Sequence, residues 1–154
     1  MEDDLALNNA GLVLLNAYIP MLFDRLGLTE NGQFTSSTHQ MDAVHYLQYL
    51  ATGLSETEEH YVPLNKVLCG LAVTTPIASG INILEENKTM MQGLLEAVIG
   101  HWPAIGDSSI VGFRGNWLVR DGVLSEKTGH WSLRVEKRSY DVLIQRAPFS
   151  FSLI

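Results

Sequence analysis

The sequence predicts an α+β fold: a mostly helical body of about five helices with a small C-terminal antiparallel β-hairpin or three-stranded sheet. Three observations lead there. Apolar residues recur at helical spacing through most of residues 9–121, the period shifts to two after Gly122, and Gly, Pro and Asn punctuate the periodic runs. A chain of 154 residues fits a single domain, 1–154. Its 46% apolar and 18% charged residues are enough for a core and leave some apolar surface for a partner.

Residues 9–28 read as helix in two pieces. Asn8 or Asn9 is placed to cap the start, Pro20 kinks or restarts the helix, and Gly27 suits a left-handed stop after Leu22, Phe23 and Leu26. Asn31-Gly32 marks a turn. Ser37 with Gln40 matches a capping box that opens a helix to about Thr52, closed by Gly53. Ala43, Val44, Leu47, Leu50 and Ala51 share one face there, with Tyr46 and Tyr49 beside it, so this helix should be largely buried. Ser55 with Glu58 reads as a second box, opening a stretch that contains Pro63 and ends near Gly70; Leu64, Val67, Leu68 and Leu71 are its stripe. Residues 72–81 read as loop.

The clearest helix follows, capped by Asn82 or a neighbour. Met91, Leu94, Leu95, Val98 and Trp102 form its inner stripe, Glu85, Glu86, Gln92 and Glu96 face solvent, and His101-Trp102-Pro103 ends it. Ser108 or Ser109 caps a last helix with Ile110, Phe113 and Trp117 inward, terminated at Asp121-Gly122. Beyond it, Trp131, Leu133 and Val135 alternate with polar residues, as do Tyr140, Val142 and Ile144. Two strands joined through Lys137-Arg138-Ser139 are expected, with a third at Val123-Leu124.

Function classes then narrow. The chain lacks a phosphate-binding P-loop, G-x-G-x-x-G, H-E-x-x-H and G-x-S-x-G. A net charge of −7 disfavours nucleic acid as a ligand. The start Met1-Glu2-Asp3-Asp4 is acidic where a signal peptide is basic, and the longest apolar run, Ala10 to Phe23, is shorter than a membrane span. A soluble, intracellular-type domain without membrane insertion is therefore expected. His39, Asp42 and His45 are the one ligand-like cluster, but helical spacing separates His39 from the other two and favours hydrogen-bonded histidines over a metal. Cys69, flanked by Leu68 and Gly70, reads as a buried thiol. The tryptophans read as core. No catalytic, cofactor-binding or metal-binding residue is expected.

Charge is distributed unevenly. Residues 1–107 carry three basic side chains (Arg25, Lys66, Lys88) against thirteen acids, whereas residues 108–154 carry seven against four. Such a dipolar chain suits docking head to tail or onto a charged partner. Candidate contact residues are Arg114 and Arg120 on the last helix, and Arg134, Glu136, Lys137 and Arg138 on the exposed side of the sheet, whose edge also offers unpaired backbone groups.

Five strings carry a resemblance: NAGLVLLNAYIPMLFDRLGL (9–28), HQMDAVHYLQYLATG (39–53), LNKVLCGL (64–71), LLEAVIGHWPAIGDSSIVGFRGNWLVRDGVL (94–124) and WSLRVEKRSYDVLIQRAPFSFSLI (131–154). Together and in this order they resemble the tape-measure protein family of bacterial contractile injection systems, phage-tail-like particles that drive a spiked tube through a target membrane. The resemblance implies a non-catalytic assembly protein without cofactor. Its partners would be tube, baseplate or spike components or its own copies, and it would act in the bacterial cytoplasm during assembly and inside the assembled particle.

Family members are generally longer, so this chain is expected to cover about one conserved domain, and it stops at Ile154 where the family usually continues to a Pro-Trp ending. Even as one helix it would reach only roughly 230 Å at ~1.5 Å per residue. It is therefore expected to be an anchoring or docking module of a tape that helps set tube length, or a small paralogue acting in assembly, and not the ruler itself. Two other readings compete. One is a chaperone or adaptor holding a cargo or particle component in an apolar groove lined by Met90, Met91 and the aromatics. The other is an enzyme using Glu58 and Glu59, whose side chains would point about 100° apart on a helix and so suit paired acid–base work poorly.

Overall fold

Pro20 governs how the chain begins. The computed structural model describes residues 4–141. After a short strand β1 (Leu5–Leu7), residues Ala10–Tyr18 wind as a 3-10 helix. The α-helix α1 (Ile19–Arg25) starts afresh with Pro20 in its first turn, where no backbone donor is required. The two-piece reading holds, but Asn9 does not cap it: its amide reaches away to Gln48 and Asn65. Gly11 shows why this segment lies where it does. A Cβ there would stand 1.7 Å from the Trp117 carbonyl oxygen, so the two backbones meet with no side chain between them. Gly27 takes a φ of 77° and stops α1 as expected.

Asn31 and Gly32 both adopt positive φ, which closes a tight hairpin between β2 (Thr29–Glu30) and β3 (Gln33–Phe34) that the sequence showed only as a turn. Helix α2 (Ser37–Thr52) is capped one residue earlier than expected, by Ser36, whose Oγ accepts from the His39 N–H at 3.1 Å. Every residue from Ala43 to Ala51 is buried, so α2 is the central post of the body. Ser55 caps nothing. Its carbonyl accepts from the Ile81 N–H, and Thr57 donates to Ser79, drawing this stretch against the 79–81 loop. A 3-10 turn (Glu59–Tyr61) then leads into α3 (Pro63–Leu68).

Helix α4 (Glu85–Gly100) starts after Leu84 and not at Asn82, with no side-chain cap, and buries Met91, Leu95 and Val98. Helix α5 (Ile110–Phe113) is capped by Ser109, then widens into a π turn (Arg114–Leu118). That turn carries Trp117 inward to Trp102, ring centroids 4.8 Å apart.

The sheet departs most from expectation. Strand β4 (Gly122–Lys127) pairs antiparallel with β5 (His130–Val135) through a Thr128-Gly129 turn in which both residues have positive φ. At the expected turn through Lys137-Arg138-Ser139, residues 139–141 make a 3-10 turn where a strand was expected to begin at Tyr140, and the remainder of that strand, from Val142, lies outside the described residues. The third strand is β1, from the other end of the chain, aligned so that Leu5 faces Leu124. The sheet is thus not strictly C-terminal, although the α+β class holds. Among the described residues no helix is long and apolar enough to cross a membrane.

Candidate docking surfaces

Most cations expected to face a partner are held inside the chain. Arg114 donates through Nε to the Leu50 carbonyl and through Nη2 to that of Tyr49, each at 3.1 Å, while lying over the Tyr49 ring. It thereby caps the last carbonyls of α2, and burial lowers its pKa. Arg120 is only 2% exposed and pairs with Asp141 at 2.7 Å. It also donates to the Asn116 carbonyl and lies over the Trp117 and Tyr140 rings. Both residues are therefore turned toward the chain's own carbonyls, Arg114 meeting the Leu50 carbonyl that the end of α2 leaves open. Burial pushes the Asp141 carboxyl up, but the Arg120 guanidinium and the Arg138 N–H outweigh it and hold the carboxyl below its usual range.

Arg138 ties the segment after β5 onto the π turn. It donates to the carbonyls of Gly115, Asn116 and Val119 and to the Tyr140 hydroxyl. Glu136 braces it from outside at 3.1 Å, and that hydrogen bond lowers the Glu136 pKa. Arg134 and Lys137 are the exceptions. Both are exposed and have no ion pair among the described residues. Of the candidate cations, these two are left facing outward.

The other singled-out groups are also engaged. His45 is buried, and its Nε2 is 2.8 Å from the Ala78 carbonyl, a tether between α2 and the 72–81 loop. Burial lowers its pKa, against the opposing influence of that carbonyl and of Asp42. His39 bonds Thr35 near the surface. Among the described residues no three His, Cys, Asp or Glu side chains stand close enough to hold a metal ion. Burial pushes the Cys69 thiol up to about 12, far from thiolate chemistry. Glu58 and Glu59 part company as well: Glu58 pairs with His60, and Glu59 with the buried Lys66 at 2.8 Å.

Two concave surfaces stand out among the described residues, and the second takes in Met90 of the expected apolar groove. A cleft of about 900 Å³ separates the far end of the sheet, at Glu126 and Trp131, from the wall made by Glu59, His60 and Pro63. A smaller groove of about 380 Å³ runs between α1 and α4, lined by Met21, Met90, Gly93 and Ala97. Met90 faces this groove whereas Met91 is in the core, as are Trp102 and Trp117. Only the spacing of Met90, Leu94 and Ala97 hinted at a second apolar face on α4.

The family model for contractile injection system tape measure proteins matches residues 1–154. No curated protein and no solved structure matches the chain.

Proposed function

Because this chain belongs to the contractile injection system tape measure protein family, we propose that it is a non-catalytic anchoring or docking module that helps set tube length while the particle is built. The match along the whole chain carries the reading. Two features of the molecule support it: His45, Lys66, Glu59, Arg114, Arg120 and Arg138 are engaged in holding the fold, and concave surfaces suited to protein contact lie open among the described residues. Tube, baseplate or spike components, or further copies of the chain, are its partners. It works in the bacterial cytoplasm during assembly and stays inside the finished particle. Arg134 and Lys137 supply cations for contact, beside Arg114, Arg120 and Arg138, which are turned inward.

The test is affinity purification of the tagged chain from a strain that makes the particle, followed by mass spectrometry and measurement of tube lengths. The chain should recover tube, baseplate or spike proteins, and its deletion should abolish or scatter tube length. Recovery of none of these, with tube length unchanged, overturns the reading. The groove between α1 and α4 favours a second reading, a chaperone or adaptor that binds a cargo or particle component and leaves before completion. Purified mature particles would then lack the chain.

A further inference from the structure

Gly93 stands where a glycine is costly and nothing among the described residues requires it. It lies in the middle of α4, its φ is not positive, and among the described residues nothing beyond its own helix backbone comes within 4 Å of the point a Cβ would occupy. Glycine is the poorest helix former after proline, and its usual justifications are a left-handed backbone or a close neighbour. Neither applies. What Gly93 does is remove a side chain from an otherwise apolar surface. With Ala97 one turn on, it makes a notch flanked by Met90 and Leu94 on α4 and by Met21 on α1. Met21 is 40% exposed. Methionines adapt to whatever packs on them.

The rim of the groove carries a charge without a counterion. Arg25 is exposed, lines the groove, and has no ion pair among the described residues. Lys66 and Lys88, the other two basic residues of the first 107, are paired with Glu59 and Glu85. Among the described residues no acidic side chain lines the groove. Its walls are helices whose backbones are already hydrogen-bonded, so an extended peptide would bury N–H and C=O groups with nothing to meet them. A helix carries its own backbone bonds, and its ridges fit the i, i+4 notch of Gly93 and Ala97.

We propose that the groove between α1 and α4 seats an amphipathic helix of a partner protein, its apolar ridge in the Gly93–Ala97 notch and a carboxylate on its flank paired with Arg25. This rests on the docking reading above and gives that docking a surface and a partner chemistry.

Two 18-residue synthetic peptides probe it: a helix-forming sequence with a Leu/Ala ridge and one flanking Glu, and its twin with Lys at that position. Binding to the full chain is read by fluorescence anisotropy. The Glu peptide should bind at least tenfold more tightly than the Lys peptide, and Arg25→Glu should reverse that order. Gly93→Leu should weaken both at least tenfold. Gly93→Ala should raise the thermal midpoint of the free chain yet weaken the Glu peptide several-fold, a pair of opposite effects that a merely structural glycine would not give. Equal affinity for the two peptides, or unchanged binding by Gly93→Leu, overturns the proposal. So does self-association in sedimentation velocity that Gly93→Leu abolishes, because the occupant is then a second copy. If particle components still co-purify while the peptides fail, the groove assignment falls and the assembly role stands.

Discussion

Asn65→Ala tests whether a buried polar knot, in addition to apolar packing, joins the start of the chain to α2 and α3. Asn65 accepts from Asn9 Nδ2 at 2.7 Å and donates to the Val44 carbonyl at 3.0 Å and to Gln48 Oε1 at 3.2 Å. Asn9 donates to the same Gln48 oxygen at 2.9 Å, and all three side chains are buried. Alanine therefore deletes three hydrogen bonds at once. At about 0.5–1.5 kcal/mol each, the loss lies between roughly 1.5 and 4.5 kcal/mol. Gln48 keeps Asn9 as donor and the Val44 carbonyl keeps its place in the helix, so about 2–3 kcal/mol is expected. For a chain of this size each kcal/mol moves the midpoint by about 2–4 °C, so the thermal midpoint should fall by roughly 4–12 °C.

Urea denaturation gives the free energy and calorimetry the midpoint. A double-mutant cycle with Asn9→Ala isolates the 2.7 Å bond, and the coupling should be about 1 kcal/mol. A loss under about 0.5 kcal/mol for Asn65→Ala, or strict additivity in the cycle, refutes the account of the knot.

Two further outcomes follow from particular contacts. Burial holds the His45 pKa below 6.5 in the fold, so the unfolded chain binds the extra proton first as pH falls. Stability should therefore decline from about pH 6.5 downward and be level above it, a window separate from the more acidic one in which the lowered Glu59, Glu136 and Asp141 carboxyls protonate. His45→Phe should flatten that decline in urea midpoints measured between about pH 5 and 7.5, and an unaltered slope would assign it to another group. Gly11→Ala should cost about 3 kcal/mol or more, because the new methyl meets the backbone of the π turn and not a yielding side chain. A Gly11→Ala chain as stable as the parent in chemical denaturation would show that the close approach to Trp117 is wrong.

Local signals in this chain act within one or two helical turns, and what they control came through. Pro20 restarting a helix, Gly27 and Gly53 ending two, Ser109 capping another, and the burial of α2 from Ala43 to Ala51 all depend on neighbours three or four residues away. Expected caps failed where a competing partner lay far off in sequence. Asn9 was drawn to Asn65, and the segment after Ser55 was drawn to Ser79 and Ile81. The five candidate contact cations divide on the same ground. Exposure of Arg134 and Lys137 follows from their polar strand and turn positions, whereas Arg114, Arg120 and Arg138 found carbonyls on distant elements.

By itself, then, the order of residues determined the α+β class, the helical punctuation and, through five strings taken together, the family. Tertiary structure alone decided that β1 completes the sheet beside β4, that the hairpin turns at Thr128-Gly129, that three arginines face inward, and that a groove opens over Gly93. The reason is range. A helix satisfies its backbone within its own few residues and so announces itself locally. A strand, a buried guanidinium or a groove is defined by a second surface, and which surface arrives there is settled only when the whole chain competes for its contacts.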